Sequence, residues 1–319
     1  MRRIILLASL ALLPPIACLR AQTEKSYGQP QTPLIVAYVV SSLQHGDLAS
    51  ARALVAQYRR VNGDTPEALE ALSWLARGEA AAGNLEQADQ DAEEINRLAQ
   101  TSLATRKLDA EPHLPLALGA AYEVEAEILA RQNKRAEALQ LLRSALTTWR
   151  GTSLVNRLQK NINLLTLEGK PMPALRATDW LGAKPTNPNF WRGKPLLLFF
   201  WAHWCADCKG EEPIISRLAA EFEPKGLTVL APTRLYGYTA QDEHASPQEE
   251  RAFIERVFQK YYASIPNAKV PFDAGNFERF GASTTPTIVL VDRRGIVRLY
   301  HPGAMDESAL RAALQQLTR

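Results

Sequence analysis

The chain has 319 residues, with 37 Lys and Arg against 34 Asp and Glu, a formal net charge of +3, and 46% hydrophobic residues. That length exceeds what one hydrophobic core usually fills, so two domains are expected. The near balance of charge, with Arg2 and Arg3 at the extreme N-terminus, gives no case for nucleic-acid binding.

The opening MRRIILLASLALLPPIACLRAQ combines a basic start, an apolar run from Ile4 to Leu13, the helix-breaking pair Pro14-Pro15 and then small residues. This is the layout of a secretory signal peptide, and it is too short for an ordinary membrane span. Cleavage after Ala21 is the first expectation, giving a signal peptide over residues 1–21, although Leu19 is larger than the usual residue there. Cleavage before Cys18 with lipid on its sulfur is the second, against Pro15, which stands where a lipoprotein signal carries an aliphatic residue. Either leaves Cys205 and Cys208 as the internal cysteines of an exported chain, in a compartment where disulfides persist. No later stretch approaches the roughly 18 uninterrupted apolar residues of a span, so no membrane span is expected after cleavage.

Residues 34–168 are rich in Ala, Leu, Glu, Gln and Arg, with apolar residues at helical spacing. Three related turns recur, HGDLASARALV from His45, AGNLEQADQDA from Ala82 and QNKRAEALQLL from Gln132, and their Gly or Asn reads as a helix-pair junction. The pattern resembles degenerate tetratricopeptide repeats. Its register is irregular: Gly46 to Gly83 is near the repeat period, whereas Gly83 to Asn133 is longer and is interrupted by EPHLPL from Glu111. An unrelated helical bundle is the alternative. A repeat-like array would offer a surface to a partner protein, and nothing in the residues selects its face.

Texture changes after Gly169, where Pro, Gly, Asn and Trp accumulate up to Pro195 and a second domain over residues 170–319 begins. LLLFFWA from Leu196 reads as a buried strand, followed by Cys205-x-x-Cys208 and a helix to about Phe222. LTVLAP from Leu227 is the next strand. SPQEERAFIERVFQKYY from Ser246 opens as a capping box, with Ser246 as cap, Pro247 in the first turn and Glu249 reaching back. VPFD from Val270, TIVLVD from Thr287 and IVRLYH from Ile296 supply further strands, with a hairpin turn at Asp292, and a last helix covers Glu307 to Leu317. This order implies a mixed sheet with helices on both faces.

A Cys-x-x-Cys between a buried strand and a helix sets its first sulfur at unpaired backbone N–H groups and the positive end of the helix dipole. Thiolate is favoured there, so Cys205 is the attacking sulfur. Cys208, one turn on, is the more buried partner that resolves a mixed disulfide. A zinc site needs about four ligands, and His203, His244 and His301 add none at a suitable spacing. A structural disulfide across so small a loop removes little unfolded-state entropy, and a peroxide-reducing site expects Thr where Ala202 stands.

PLLLFFWAHWCADCKGEEP together with TTPTIVLVDRRGIV resembles the thioredoxin fold, and within it the TlpA/ResA-like group of exported thiol-disulfide oxidoreductases. The resemblance covers about Lys170 to Arg319. It implies an α/β thioredoxin-like C-terminal domain behind an all-α helical-hairpin domain, with Pro286 in cis facing the disulfide. Trp204, Thr285 and Pro286 then frame the substrate groove, and Trp204 shields the disulfide. Redox exchange with protein thiols and disulfides is implied, with net reduction in the periplasm, a dithiol protein as electron donor or acceptor, and no metal or organic cofactor.

Three variations stand out. The strand Leu196–Trp201 has no acid to handle the proton of the resolving cysteine, and Glu211 matches a family position implicated in that transfer, although Glu212 is equally acidic. Asp207 replaces the common Pro before the second cysteine, where its carboxylate opposes the Cys205 thiolate and weakens the disulfide as an oxidant; a solvated cap is the alternative. The long connection TRLYGYTAQDEHASPQEE, carrying Tyr236, Tyr238 and His244, is either a lip of the groove or a surface loop ending in a helix cap. His203 is read as a rim residue or as a cation acting on Cys205. The competing function is an exported scaffold whose helical half binds a partner and whose thioredoxin-like half only docks.

Overall fold

The computed structural model describes residues 32–187 and 189–319; the expected signal peptide, Cys18 and Ala21 lie outside the described residues. Among the described residues the first half is all helix: α1 (Leu34–Gln44), α2 (Leu48–Asn62), α3 (Pro66–Ala82), α4 (Leu85–Leu103), α5 (His113–Arg131), α6 (Arg135–Thr148) and α7 (Leu154–Thr166). Gly46 (φ 73°), Gly83 (φ 86°) and Asn133 (φ 61°) sit in the α1–α2, α3–α4 and α5–α6 turns. Each takes the left-handed backbone that Gly adopts freely and Asn more readily than other residues. The three junctions read from the sequence are therefore real hairpin turns. Small buried residues, among them Ala71, Ala76, Ala92, Ala117 and Ala121, alternate with Leu69, Leu75, Ile95 and Leu118 in one core, which lets α3, α4 and α5 pack closely.

The second half carries β1 (Trp180–Leu181), β2 (Leu196–Phe200), α8 (Ala206–Phe222), β3 (Thr228–Leu230), α9 (Pro247–Tyr261), β4 (Val270–Pro271), α10 (Ala274–Phe280), β5 (Thr287–Val291), β6 (Val297–Pro302) and α11 (Glu307–Leu317). The main sheet has the order β3-β2-β5-β6, with β2 parallel to β3 and antiparallel to β5, and β5 and β6 forming a hairpin. Asp292 builds the hairpin turn by accepting N–H bonds from Arg294 and Ile296. The capping box of α9 forms between Ser246 and Glu249.

The strand expected at Val270 stands outside this four-stranded sheet. β4 pairs antiparallel with β1, while the residues flanking it, Lys269 and Phe272, form isolated parallel bridges with Leu230 at the end of β3 and with Thr233 beyond it. Pro271 has no N–H with which to extend a ladder.

All of β2 is buried, and its side chains alternate between two cores. Leu197, Phe199 and Trp201 face Ile215 and Leu218 of α8, Ile254 of α9 and Leu310 of α11. Leu196, Leu198 and Phe200 face Phe277 and Phe280 of α10, Trp180, Trp191 and Leu167 at the end of the helical region. Further contacts tie the two halves. Tyr300 N donates to Glu168 Oε1 (2.9 Å), Gly169 N to Val297 O (2.9 Å) and Val297 N to Lys170 O (2.9 Å). Gly281, with φ 59°, lies so near α7 that a Cβ there would sit 2.3 Å from the backbone nitrogen of Lys160.

Candidate redox site

The end of β2 is pinned before the cysteines begin. Trp201 Nε1 donates to Ala231 O (2.9 Å) and Thr233 Oγ1 donates to Trp201 O (2.9 Å), so both the ring and the carbonyl of Trp201 are held. The chain then turns through Ala202, His203 and Trp204 to Cys205, the N-cap of α8, whose Sγ accepts the N–H of Cys208 at 3.0 Å. Cys205 and Cys208 are joined in a disulfide. Both are buried, Cys205 at 3% exposure and Cys208 fully.

The Thr285-Pro286 peptide bond is cis, as the resemblance implied. Thr285 O lies 3.3 Å from the Sγ of Cys205. Neighbouring bonds fix this loop, with Thr287 Oγ1 donating to Thr284 O (2.6 Å) and Gly303 N to Pro286 O (2.8 Å). Trp204 is half-buried beside the disulfide and meets Tyr236 edge-to-face, with ring centroids 5.6 Å apart.

The two glutamates that sequence left equivalent are separated by the fold. Glu211 is 4% exposed and accepts the N–H of Met305 at 3.2 Å. Burial pushes its carboxyl above the ordinary range, the N–H of Met305 opposes this, and the charges of Asp207 and Asp306 add to the rise. It stands three residues after Cys208, on the same helix face. Glu212 points elsewhere and bonds to Ser264. Asp207 occupies the exposed first turn of α8.

His203 corrects the rim reading, because it is 3% exposed. Its ring is enclosed by Tyr236, Tyr238 and Phe253, each edge-on at 5.1 to 5.4 Å, and its Nε2 lies 3.3 Å from Glu250 Oε1. Tyr236 and Tyr238 of the loop after β3, with Phe253 of α9, thus enclose the imidazole. Glu250 organises this loop by accepting the N–H groups of Tyr236 and, at 2.8 Å, Gly237. Burial raises its carboxyl, but His203 and the two N–H groups outweigh that and hold it below the ordinary range. The connection is thus a folded wall of the site at Tyr236 and Tyr238, while His244 is exposed. Sequence reading passed over Glu250 because Glu249 satisfied the capping pattern; the second acid of the SPQEE segment was the available signal.

Among the described residues, no group of three or more His, Cys, Asp or Glu side chains is arranged to hold a metal. A cap-positioned sulfur, a buried partner one turn on and a cis-proline loop against them define a dithiol–disulfide centre. Residues 191–318 match the thioredoxin-like domain family.

The C-terminal half is a thioredoxin-like domain. Its matches include the thiol:disulfide interchange protein DsbE of Xylella fastidiosa, 29% identical over 120 residues, covering 37% of this chain and 52% of that protein. DsbE of Pseudomonas fluorescens is 28% identical, covering 46% and 72%, and the thiol-disulfide oxidoreductase ResA of Bacillus thuringiensis 26%, covering 47% and 78%. The chain spans about half the length of the Xylella fastidiosa relatives. A solved thiol:disulfide interchange protein of Chlorobium tepidum is 17% identical with a TM-score of 0.38, covering 48% of this chain and 99% of the other. The family match to the thioredoxin-like domain begins after the helical region, at residue 191.

Proposed function

We propose that the protein is a thiol-disulfide oxidoreductase of the cell envelope that reduces protein disulfides through Cys205 and Cys208. The observation that carries this reading is the contact of Cys205 Sγ with both the N–H of Cys208 and the carbonyl of Thr285. The first contact and the helix dipole favour a thiolate; the second sets the sulfur against the loop on which a substrate chain docks.

In the reduced protein the Cys205 thiolate attacks one sulfur of a substrate disulfide. A mixed disulfide forms and the other substrate sulfur leaves as a thiolate. Cys208, deprotonated, then attacks Cys205 Sγ, forms the internal disulfide and releases the second substrate thiolate. Two electrons pass to the substrate, and a dithiol protein restores the pair by the reverse sequence. Glu211 is the acceptor for the Cys208 proton, Asp207 tunes the potential, and Trp204, Thr285 and Pro286 line the groove. No metal or organic cofactor enters these steps.

The same reading takes residues 1–21 as a signal peptide, 34–168 as a tetratricopeptide-like helical domain that contacts a partner protein, and 170–319 as the redox domain. Export follows from that leader, with Cys18 as the lipid site if cleavage precedes it. The test is reduction of insulin by the protein with a dithiol as electron source. Turnover that is lost in Cys205→Ala supports the reading; a pure protein that neither reduces insulin nor exchanges with a dithiol is a docking scaffold instead.

A further inference from the structure

A cavity of about 710 Å³ opens where the helical region faces the loop before Pro286, a volume within the usual range of ligand sites. Its walls include Arg77 of α3, Glu123 of α5, Arg157 and Lys160 of α7, and Ser283 and Thr284. Thr284 directly precedes Thr285, whose carbonyl touches the Cys205 sulfur. The wall of the cavity therefore includes the residue next to the one that touches the Cys205 sulfur, together with residues of α3, α5 and α7.

Its charges are unevenly matched. Glu123 accepts from Arg157 Nε (2.9 Å), Arg157 Nη2 (2.8 Å) and Lys160 Nζ (3.0 Å). Burial pushes its carboxyl up, but the two cations hold it at about 2. Arg77 is left over. It is half-buried, donates Nε–H to Ser73 O (3.3 Å) and lies 3.9 Å above the Trp74 ring. Among the described residues it makes no ion pair within 4 Å; the charges of Glu123 and Glu70 reach it, but Glu123 is held by Arg157 and Lys160 and Glu70 is engaged by His113 at 2.7 Å. Of the remaining acids on the wall, Asp109 accepts from Ser153, and Glu111 accepts the N–H groups of His113 and Leu114. Burial, with Arg157 nearby, brings Arg77 down to about 10. A partly desolvated cation without a direct ion pair is costly, and an incoming carboxylate offsets that cost.

We propose that this cleft seats the polypeptide flanking the substrate's reacting cysteine, with Arg77 receiving an acidic side chain of that polypeptide. The proposal rests on the exchange reaction read above. Contact with Arg77 while sulfur is exchanged at Cys205 requires an extended chain that leaves the Pro286 loop and follows α3 and α7; a small dithiol engages only the sulfur. The helical region then adds selection of substrates by sequence near the cysteine.

The test uses the full chain, oxidised, and a set of extended peptides that each contain one cysteine and one Glu, with the Glu walked outward on either side of the cysteine and Gln in the matched controls. Rates of mixed-disulfide formation are compared within each pair. The expected result is a maximum at one Glu position, with an advantage over Gln of about tenfold, the size of one charge-assisted contact, and a ratio near one in Arg77→Gln. Rising salt should reduce the same advantage in the unmodified protein, so the proposal stays testable if Arg77→Gln does not fold. Equal rates for Glu and Gln at every position overturn the proposal while dithiothreitol exchange still supports the reaction. Loss of dithiothreitol exchange as well overturns the reaction on which it rests.

Discussion

The sulfur of Cys205 and the carbonyl oxygen of Thr285 are 3.3 Å apart although they are 80 positions apart in the chain. That contact joins the start of α8 to the loop entering β5, and it exists because β2 and β5 are antiparallel neighbours in the sheet, with Phe200 opposite Thr287. The cysteine pair and the cis-proline loop against it are consequences of one strand pairing.

Cys205 and Cys208 should differ sharply in reactivity once reduced. In Cys208→Ala, the rate of iodoacetamide alkylation at Cys205 is expected to rise with a midpoint below the free-cysteine value of about 8.5, because the helix N-terminus favours the thiolate. The reduced protein with both cysteines should be alkylated at Cys205 first, since Cys208 is fully buried. A midpoint at or above the free value would show that the helix terminus does not act on the sulfur.

Glu211 carries a buried carboxyl raised above its ordinary value, chiefly by desolvation. A raised folded value means that its contribution to stability is present at pH below the unfolded value and is lost as pH rises through the folded one. Glu211→Gln, which keeps an acceptor for Met305 N–H, should therefore melt higher than the unmodified protein at neutral pH, with the gap closing below about pH 4.5. Thermal melts at pH 4 and pH 8 check this. The same variant should slow the resolving step if the carboxylate takes the Cys208 proton.

Glu250 has the opposite sign. His203 and two backbone N–H groups hold it below the ordinary range, so its contribution is full above the unfolded value and is lost as pH falls through the folded one. Glu250→Ala leaves the N–H groups of Tyr236 and Gly237 without their acceptor, removes the carboxylate beside His203, and should cost about 2–4 kcal/mol, measured by denaturant unfolding at pH 7. An unchanged midpoint would mean that the wall of aromatic rings stands without it.

Gly281→Ala should be among the most damaging single methyl additions. The added Cβ meets backbone rather than a flexible side chain, 2.3 Å from Lys160 N, on a left-handed residue. Overpacking and that backbone together should cost about 2–4 kcal/mol, read from the urea midpoint. A loss below about 0.5 kcal/mol, the level of an ordinary surface change, would show that the two halves separate easily.

Asp207→Pro is expected to make the disulfide a stronger oxidant by removing a carboxylate from the first turn of α8. The shift should be on the order of 10–30 mV toward less negative values, measured by equilibration with dithiothreitol buffers. No shift, or one toward more negative values, would leave Asp207 as a surface cap.

Much of this was legible because it is local. The signals at Gly46, Gly83 and Asn133, the capping box at Ser246 and the hairpin at Asp292 each depend on a few adjacent residues, and each forms. The cysteine pair was legible for the same reason, as a motif between a buried strand and a helix. What escaped is set by long-range packing. The burial of His203 depends on Tyr238 and Phe253, far along the chain. The difference between Glu211 and Glu212 depends on where Met305 and Ser264 arrive. Arg77 shares a cleft with Arg157, Lys160 and Thr284 only because the fold brings α3, α7 and the loop before Pro286 together. The antiparallel pairing of β4 with β1 could not be read, because β1 is only two residues long.

The division of labour between the two sulfurs, attack by Cys205 and resolution by Cys208, can be read from adduct formation. The reduced single-cysteine variants are mixed with a disulfide-bonded protein and followed on non-reducing gels. Cys208→Ala is expected to accumulate a mixed disulfide through Cys205, released by dithiothreitol, while Cys205→Ala forms little or none. Equal trapping by both variants, or trapping through Cys208 alone, would contradict that assignment.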